Sequence, residues 1–119
     1  MTPENAASTA ADTVLAQLMS VIQDRKRNPS EKSYTASLFQ GGLTKIGSKI
    51  LEEAHEVVEA AAEPGDTGRA HLIYESADLI YHLMVMLGYH DIPISEVEQE
   101  IARRFGMSGI NEKNSRPKK

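Results

Sequence analysis

The segment from His71 to Tyr89 limits the possible folds more than any other, because it is apolar nearly all round a helix and yet carries two acids. Advancing about 100° per residue puts Leu72, Ile73, Leu79, Ile80, Leu83, Met84 and Leu87 on one flank and Tyr74, Tyr81 and Val85 on the other. His71, Glu75, Asp78 and His82 share a narrow stripe between those flanks. A helix that is apolar on most sides is a buried one, so Glu75 and Asp78 do not read as a solvated face. Buried carboxylates need a cation, a partner or a proton.

A second acidic cluster, Glu52-Glu53-x-x-Glu56, lies one helix earlier. The spacing predicts a helix over Leu43 to Glu63, with Lys45, Lys49, Glu52, Glu53 and Glu56 opposite Ile46, Ile50, Ala54, Val57, Val58 and Ala61. Alone, this is an amphipathic helix whose charged face faces water, with Lys49 pairing to Glu53 and His55 directed away from the stripe. The break at Pro64-Gly65-Asp66 is too short for anything but an antiparallel neighbour. It returns Glu75 and Asp78 alongside Glu52, Glu53 and Glu56, and five carboxylates aimed at one volume repel unless a cation sits among them.

The remaining elements are also helical. Asp12 or Thr13 can cap a first helix carrying Val14, Leu15, Leu18, Val21 and Ile22, which ends before Asn28-Pro29. Ser33-Tyr34-Thr35 opens a short helical turn through Phe39, closed by Gly41-Gly42. A last helix is predicted from a capping box, Ser95-x-x-Glu98, to the neighbourhood of Gly106. No strand-like alternation is present, so the expected class is all-α, an antiparallel helix bundle. The apolar sides of the His71 to Tyr89 helix outnumber the neighbours one chain can supply, which predicts a homodimer or higher assembly completing a four-helix core.

The chain of 119 residues has room for one domain, expected over 12–116, with loose ends at 1–11 and 117–119. A net charge of −4 argues against general nucleic-acid binding. The lack of cysteine excludes disulfides and thiolate metal sites and is compatible with a cytoplasmic protein. The stretch from Leu79 to Leu87 is interrupted by His82 and closely preceded by Glu75 and Asp78, so no membrane span is expected.

An all-carboxylate cluster suits magnesium, or manganese, far better than zinc. Such ions polarise phosphoryl oxygens and acidify water, which implies hydrolysis at phosphorus. The candidate ligands and catalytic groups are Glu52, Glu53, Glu56, Glu75 and Asp78. Lys45 and Lys49 precede the glutamates on the same stripe, placed to meet a polyphosphate or, more plainly, to neutralise the acids beside them. His82 stacks above Asp78 at i+4, where it is either a core histidine satisfied by that aspartate or a group that orients a carboxylate, relays a proton or binds metal. Arg103 and Arg104 end the last helix, where the helix dipole alone favours cations.

These motifs resemble a known family. Glu52-Glu53-x-x-Glu56 followed by Glu75-x-x-Asp78 is similar to the acidic signature of the all-α, MazG-like nucleoside triphosphate pyrophosphohydrolases. Three further stretches narrow the likeness: Ser33-Tyr34-Thr35-Ala36-Ser37-Leu38, Tyr74-Glu75-x-x-Asp78-Leu79-x-Tyr81-His82-Leu83, and Arg103-Arg104-Phe105-Gly106-x-Ser108-Gly109 with Glu112-Lys113-x-Ser115-Arg116. Together they resemble the phosphoribosyl-ATP pyrophosphohydrolases of histidine biosynthesis. The resemblance implies magnesium-dependent hydrolysis of phosphoribosyl-ATP to phosphoribosyl-AMP and pyrophosphate. It also implies substrate contacts from Tyr34, Lys45, Lys49, His82, Arg103, Arg104, Lys113 and Arg116.

Three other readings compete. A house-cleaning pyrophosphatase of non-standard nucleoside triphosphates would use the same metal site. A di-iron bundle would use Glu52-x-x-His55 but needs a second Glu-x-x-His, and Glu75 is followed at i+3 by Asp78. A non-catalytic helical interaction module would need only the acidic face.

Overall fold

The structure, a computed structural model of the chain, describes residues 13–106 and 116–117. Within them the chain forms four helices and no strand: α1 (Val14–Arg27), α2 (Tyr34–Ala61), α3 (Gly65–Tyr89) and α4 (Ile94–Arg103). The all-α class read from the sequence is the observed one. The expected loose end at 1–11, Lys113 and the Ser108-Gly109 turn lie outside the described residues.

Of the two expected caps for α1, Thr13 takes the role, its Oγ1 accepting the Ala16 N–H at 3.0 Å. The helix ends at Asn28, ahead of Pro29, with Arg25, Lys26 and Arg27 in its last turn. Ser33 caps α2 in the same manner, its Oγ accepting the Ala36 N–H at 3.0 Å. The short turn of helix expected after Ser33 does meet its break where glycine permits one: Gly42, at φ 74° and ψ −168°, interrupts α2. The acidic helix proper thus occupies 43–61 and stops two residues short of the expected Glu63.

Helices α2 and α3 form the main pairing of the fold. Their contacts run Glu63 to His71, Glu53 to Glu75, and Tyr34 to His82. Numbers fall along one helix as they rise along the other, so the two are antiparallel, as the short break at Pro64 required. Helix α1 closes the open side, and Met19, Ile22, Leu38, Ile46, Met84 and Val85 form a continuous buried core between the three. Lys26 of α1 also fastens the carboxyl end of α3. Its Nζ donates to the carbonyls of Gly88 and Tyr89 at 3.0 Å each and to Asp91 Oδ1 at 2.9 Å, meeting carbonyls that have no partner within their own helix.

Two expectations need correction. Helix α4 begins at Ile94 with Pro93 in the cap position and no side-chain cap bond, so the Ser95-x-x-Glu98 capping box does not form. The chain enters the helix before Ser95, because Pro93 sits at φ −73°, ψ 151° and hands over directly to the first turn. Helix α3 is also not buried all round. Ile73, Tyr74, Ile80 and Leu83 are exposed, since among the described residues α1 and α2 are its main partners and cover only part of it. No helix among the described residues is long and apolar enough to cross a membrane.

Candidate metal centre

The antiparallel crossing of α2 and α3 brings three of the five predicted carboxylates to one point. Glu53, Glu75 and Asp78 each offer an oxygen within 4.8 Å of the others. Glu53 is 8% and Glu75 7% exposed, while Asp78 is half-buried. Glu53 Oε1 and Glu75 Oε1 are buried with no hydrogen-bond partner among the described residues. A buried acceptor normally has a partner, and leaving one without costs about 1–3 kcal/mol. Two such oxygens beside a third carboxylate fit a hard divalent cation, which takes oxygen ligands of this kind.

The electrostatics describe a cluster under strain from its own charge. Burial, reinforced by the neighbouring Glu75, Asp78 and Glu56, drives the Glu53 carboxyl up to about 7. Burial acts in the same direction on Glu75, but the neighbouring Glu53 and Glu56 carboxyls and the hydrogen-bonded His71 imidazole outweigh it and hold Glu75 below the ordinary carboxylate range. Without a cation, Glu53 is thus the acid of the pair that takes up a proton more readily.

The other two acids stand at the edge. Glu56 is raised, chiefly by hydrogen bonding with Glu75, which places it against the cluster. Glu52 is exposed, and its Oε1 accepts from Lys49 Nζ at 2.9 Å. That pairing corrects the expected Lys49 to Glu53 bond: Glu53 has turned into the interface, leaving Glu52, at i+3, to meet the lysine. Hydrogen bonding to Glu52 in turn raises the Lys49 ammonium pKa. Lys45 instead reaches back across the Gly42 break to the Ser37 carbonyl at 3.4 Å.

His82 is a core histidine, but not one satisfied by the Asp78 carboxylate. It is 4% exposed, and its Nδ1 meets the Asp78 backbone carbonyl at 2.9 Å while Nε2 meets the Tyr34 hydroxyl at 2.9 Å. The carbonyl can only accept, so Nδ1 carries the proton and Nε2 accepts from the tyrosine. The Asp78 carboxylate is left free for the cluster. Tyr34 also stacks on Tyr81 with ring centroids 6.3 Å apart, and the Tyr81 hydroxyl meets Thr35 Oγ1. These contacts set the start of α2 against the middle of α3.

Sequence reasoning gave His71 no role, yet it is the direct neighbour of the cluster. Its Nε2 lies 3.1 Å from Glu75 Oε2, and its Nδ1 lies 3.0 Å from both oxygens of Glu63. Hydrogen bonding to Glu63 raises its pKa despite partial burial. The position of His71 on the acidic stripe was a signal for it. No local spacing signals Glu63, because its link to His71 crosses the turn between helices.

Arg103 and Arg104 are not brought to the carboxylates. Both bond Glu100, Arg103 Nη2 at 2.7 Å and Arg104 Nε at 3.0 Å, and they hold the Glu100 carboxyl down to about 2. Helix α4, which carries them, packs chiefly on α1. His55 is exposed and pairs with Glu59 at 3.1 Å, so Glu52-x-x-His55 does not supply a di-iron ligand pair.

Comparison with known proteins identifies the family of the chain. The profile describing phosphoribosyl-ATP pyrophosphohydrolase matches residues 15–105. A phosphoribosyl-ATP pyrophosphatase of Geotalea daltonii is 54% identical over 106 residues, covering 88% of this chain and 96% of the relative. One of Rhodopirellula baltica is 50% identical over 105 residues, covering 88% of each. One of Neisseria meningitidis is 45% identical over 106 residues, covering 88% of this chain and 95% of the relative.

Proposed function

This chain belongs to the phosphoribosyl-ATP pyrophosphohydrolase family, and from that premise we propose that it hydrolyses phosphoribosyl-ATP to phosphoribosyl-AMP and pyrophosphate in histidine biosynthesis, with magnesium as cofactor. The observation that carries the cofactor is the pair of buried, unpartnered oxygens, Glu53 Oε1 and Glu75 Oε1, beside Asp78. Glu53, Glu75 and Asp78 would hold the ion, with Glu56 adjacent. Bound there, magnesium supplies Lewis-acid stabilisation of charge on phosphoryl oxygens and acidifies water, and manganese supplies the same chemistry.

The chain's own residues then have distinct tasks. The Glu53 and Glu75 carboxylates, buried where the two helices cross, would supply oxygens to the cation from opposite helices. Glu56, at the edge of the cluster, would be the carboxylate that accepts a proton from water. Lys49 lies at that edge on Glu52 and is positioned to exchange the carboxylate for a substrate phosphate. Lys45 lies further along the same helix. Tyr34, exposed on one side and anchored by His82, offers an aromatic face. Arg103, Arg104, Lys113 and Arg116 would supply the remaining cations to a multiply charged nucleotide, a role that requires the chain after Phe105.

The exposed apolar residues of α2 and α3 favour a homodimer in which these helices meet their copies. Pyrophosphate release from phosphoribosyl-ATP, dATP and dUTP, with and without magnesium, tests the substrate. Release from phosphoribosyl-ATP alone, and only with magnesium, is expected. Preference for dATP or dUTP would instead favour the house-cleaning activity.

A further inference from the structure

Glu75 has two oxygens with different surroundings. Oε2 is engaged by His71 Nε2 at 3.1 Å, and Oε1 is buried without a hydrogen-bond partner among the described residues. His71 itself is not free to turn, because its other nitrogen lies 3.0 Å from both oxygens of Glu63. Glu63 sits in the turn that leads into α3. Its carbonyl region packs so closely over the first turn of α3 that a Cβ on Gly68 would stand 2.2 Å from the Glu63 oxygen. The order Glu63, His71, Glu75 thus runs from the turn between α2 and α3 to an oxygen of the cluster.

We propose that His71, braced by Glu63, is the positioning residue that fixes Glu75 and so presents its Oε1 to the cation. A carboxylate with a free rotor would share its two oxygens between solvent, the neighbouring acids and the ion. Engaging one oxygen from behind leaves the other as the ligand and lowers the ordering cost of binding. Outer contacts of this type are worth about 10–100-fold in metal affinity. The inference rests on the cation-binding reading of the cluster, and it goes beyond that reading by assigning a role to two residues outside it.

The test is a titration with Mn2+ alone, without nucleotide, followed by electron paramagnetic resonance and calorimetry on the full chain. His71→Leu fills similar space without a donor and is expected to weaken Mn2+ binding at least about 10-fold. His71→Gln places an amide N–H near the Nε2 position and is expected to remain within a few-fold of the parent. Parental affinity in the folded leucine variant, or equal losses in both variants, would overturn the proposal. Should the leucine variant not fold, Glu63→Ala decides, with a several-fold loss expected and no loss fatal to the brace. A parent that binds no Mn2+ would overturn this inference together with the cation site. A parent that binds Mn2+ yet leaves phosphoribosyl-ATP intact would overturn only the substrate assignment.

Discussion

Glu53 and Asp78 face each other across the α2–α3 crossing, one buried and one half-buried, and their charges have opposite value with and without a cation. Glu53→Gln and Asp78→Asn keep volume and remove charge, so each is expected to lower turnover by at least about 100-fold at limiting magnesium while the helical circular dichroism spectrum is unchanged. Wild-type rates from either variant would take its carboxylate out of the working site. Protons should report the same competition. The Glu53 carboxyl stands at about 7 in the folded chain, above its unfolded value near 4.5. A raised acid binds protons more tightly when folded, so its stabilising contribution is full below 4.5 and is lost as pH rises through 7. His71, also raised, acts in the same direction, whereas the lowered Glu75 loses its contribution only as pH falls below 4.5. The melting temperature in EDTA is therefore expected to fall between pH 5 and pH 8. Glu53→Gln should flatten that slope, and an unchanged slope in the variant would assign the titration elsewhere.

At the scale of elements, the turn between α2 and α3 matters more than its length suggests. Pro64 and Gly65 reverse the chain, and Gly68 allows the Glu63 backbone to lie over the first turn of α3. A methyl group at Gly68 would meet Glu63 O at 2.2 Å and Glu63 C at 2.6 Å, both backbone atoms that cannot turn aside. Gly68→Ala is expected to destabilise the fold by about 1–3 kcal/mol, the usual range for overpacking. Because Glu63 must shift, Mn2+ affinity should fall with it. Urea unfolding and the Mn2+ titration measure the two effects, and a loss of stability with parental Mn2+ affinity would separate the turn from the cluster. The kink at Gly42 has a different origin, since it depends on a positive φ that a side chain would resist.

At the scale of the whole molecule, the exposed apolar residues are not scattered. Leu51 and Val58, 74% and 70% exposed, are seven residues apart on α2, and Ile73 and Ile80 repeat that spacing on α3. Residues at i and i+7 lie on one helical face. Two apolar stripes on the two helices that build the cluster are what a helical dimer interface requires. Light scattering at micromolar concentration is expected to return a dimer, and Ile80→Glu a monomer with reduced activity. A fully active monomeric parent would refute this assembly.

The helical class, the cap at Thr13, the break at Gly42 and the antiparallel return after Pro64 were legible because each depends on neighbours within a few residues. The acidic cluster was legible for a related reason: helical periodicity turns spacing into a shared face, and a short turn makes two faces meet. What periodicity cannot supply is rotation about each helix axis to within one residue. The packing of Ile46 against Met84 and Val85 decided that Glu53 enters the interface while Glu52 remains outside with Lys49. The same tertiary fit brought the Tyr34 hydroxyl to His82 and placed Glu63 within reach of His71 across a chain reversal. Sequence alone determined which residue types could make the site; packing between helices decided which of them did.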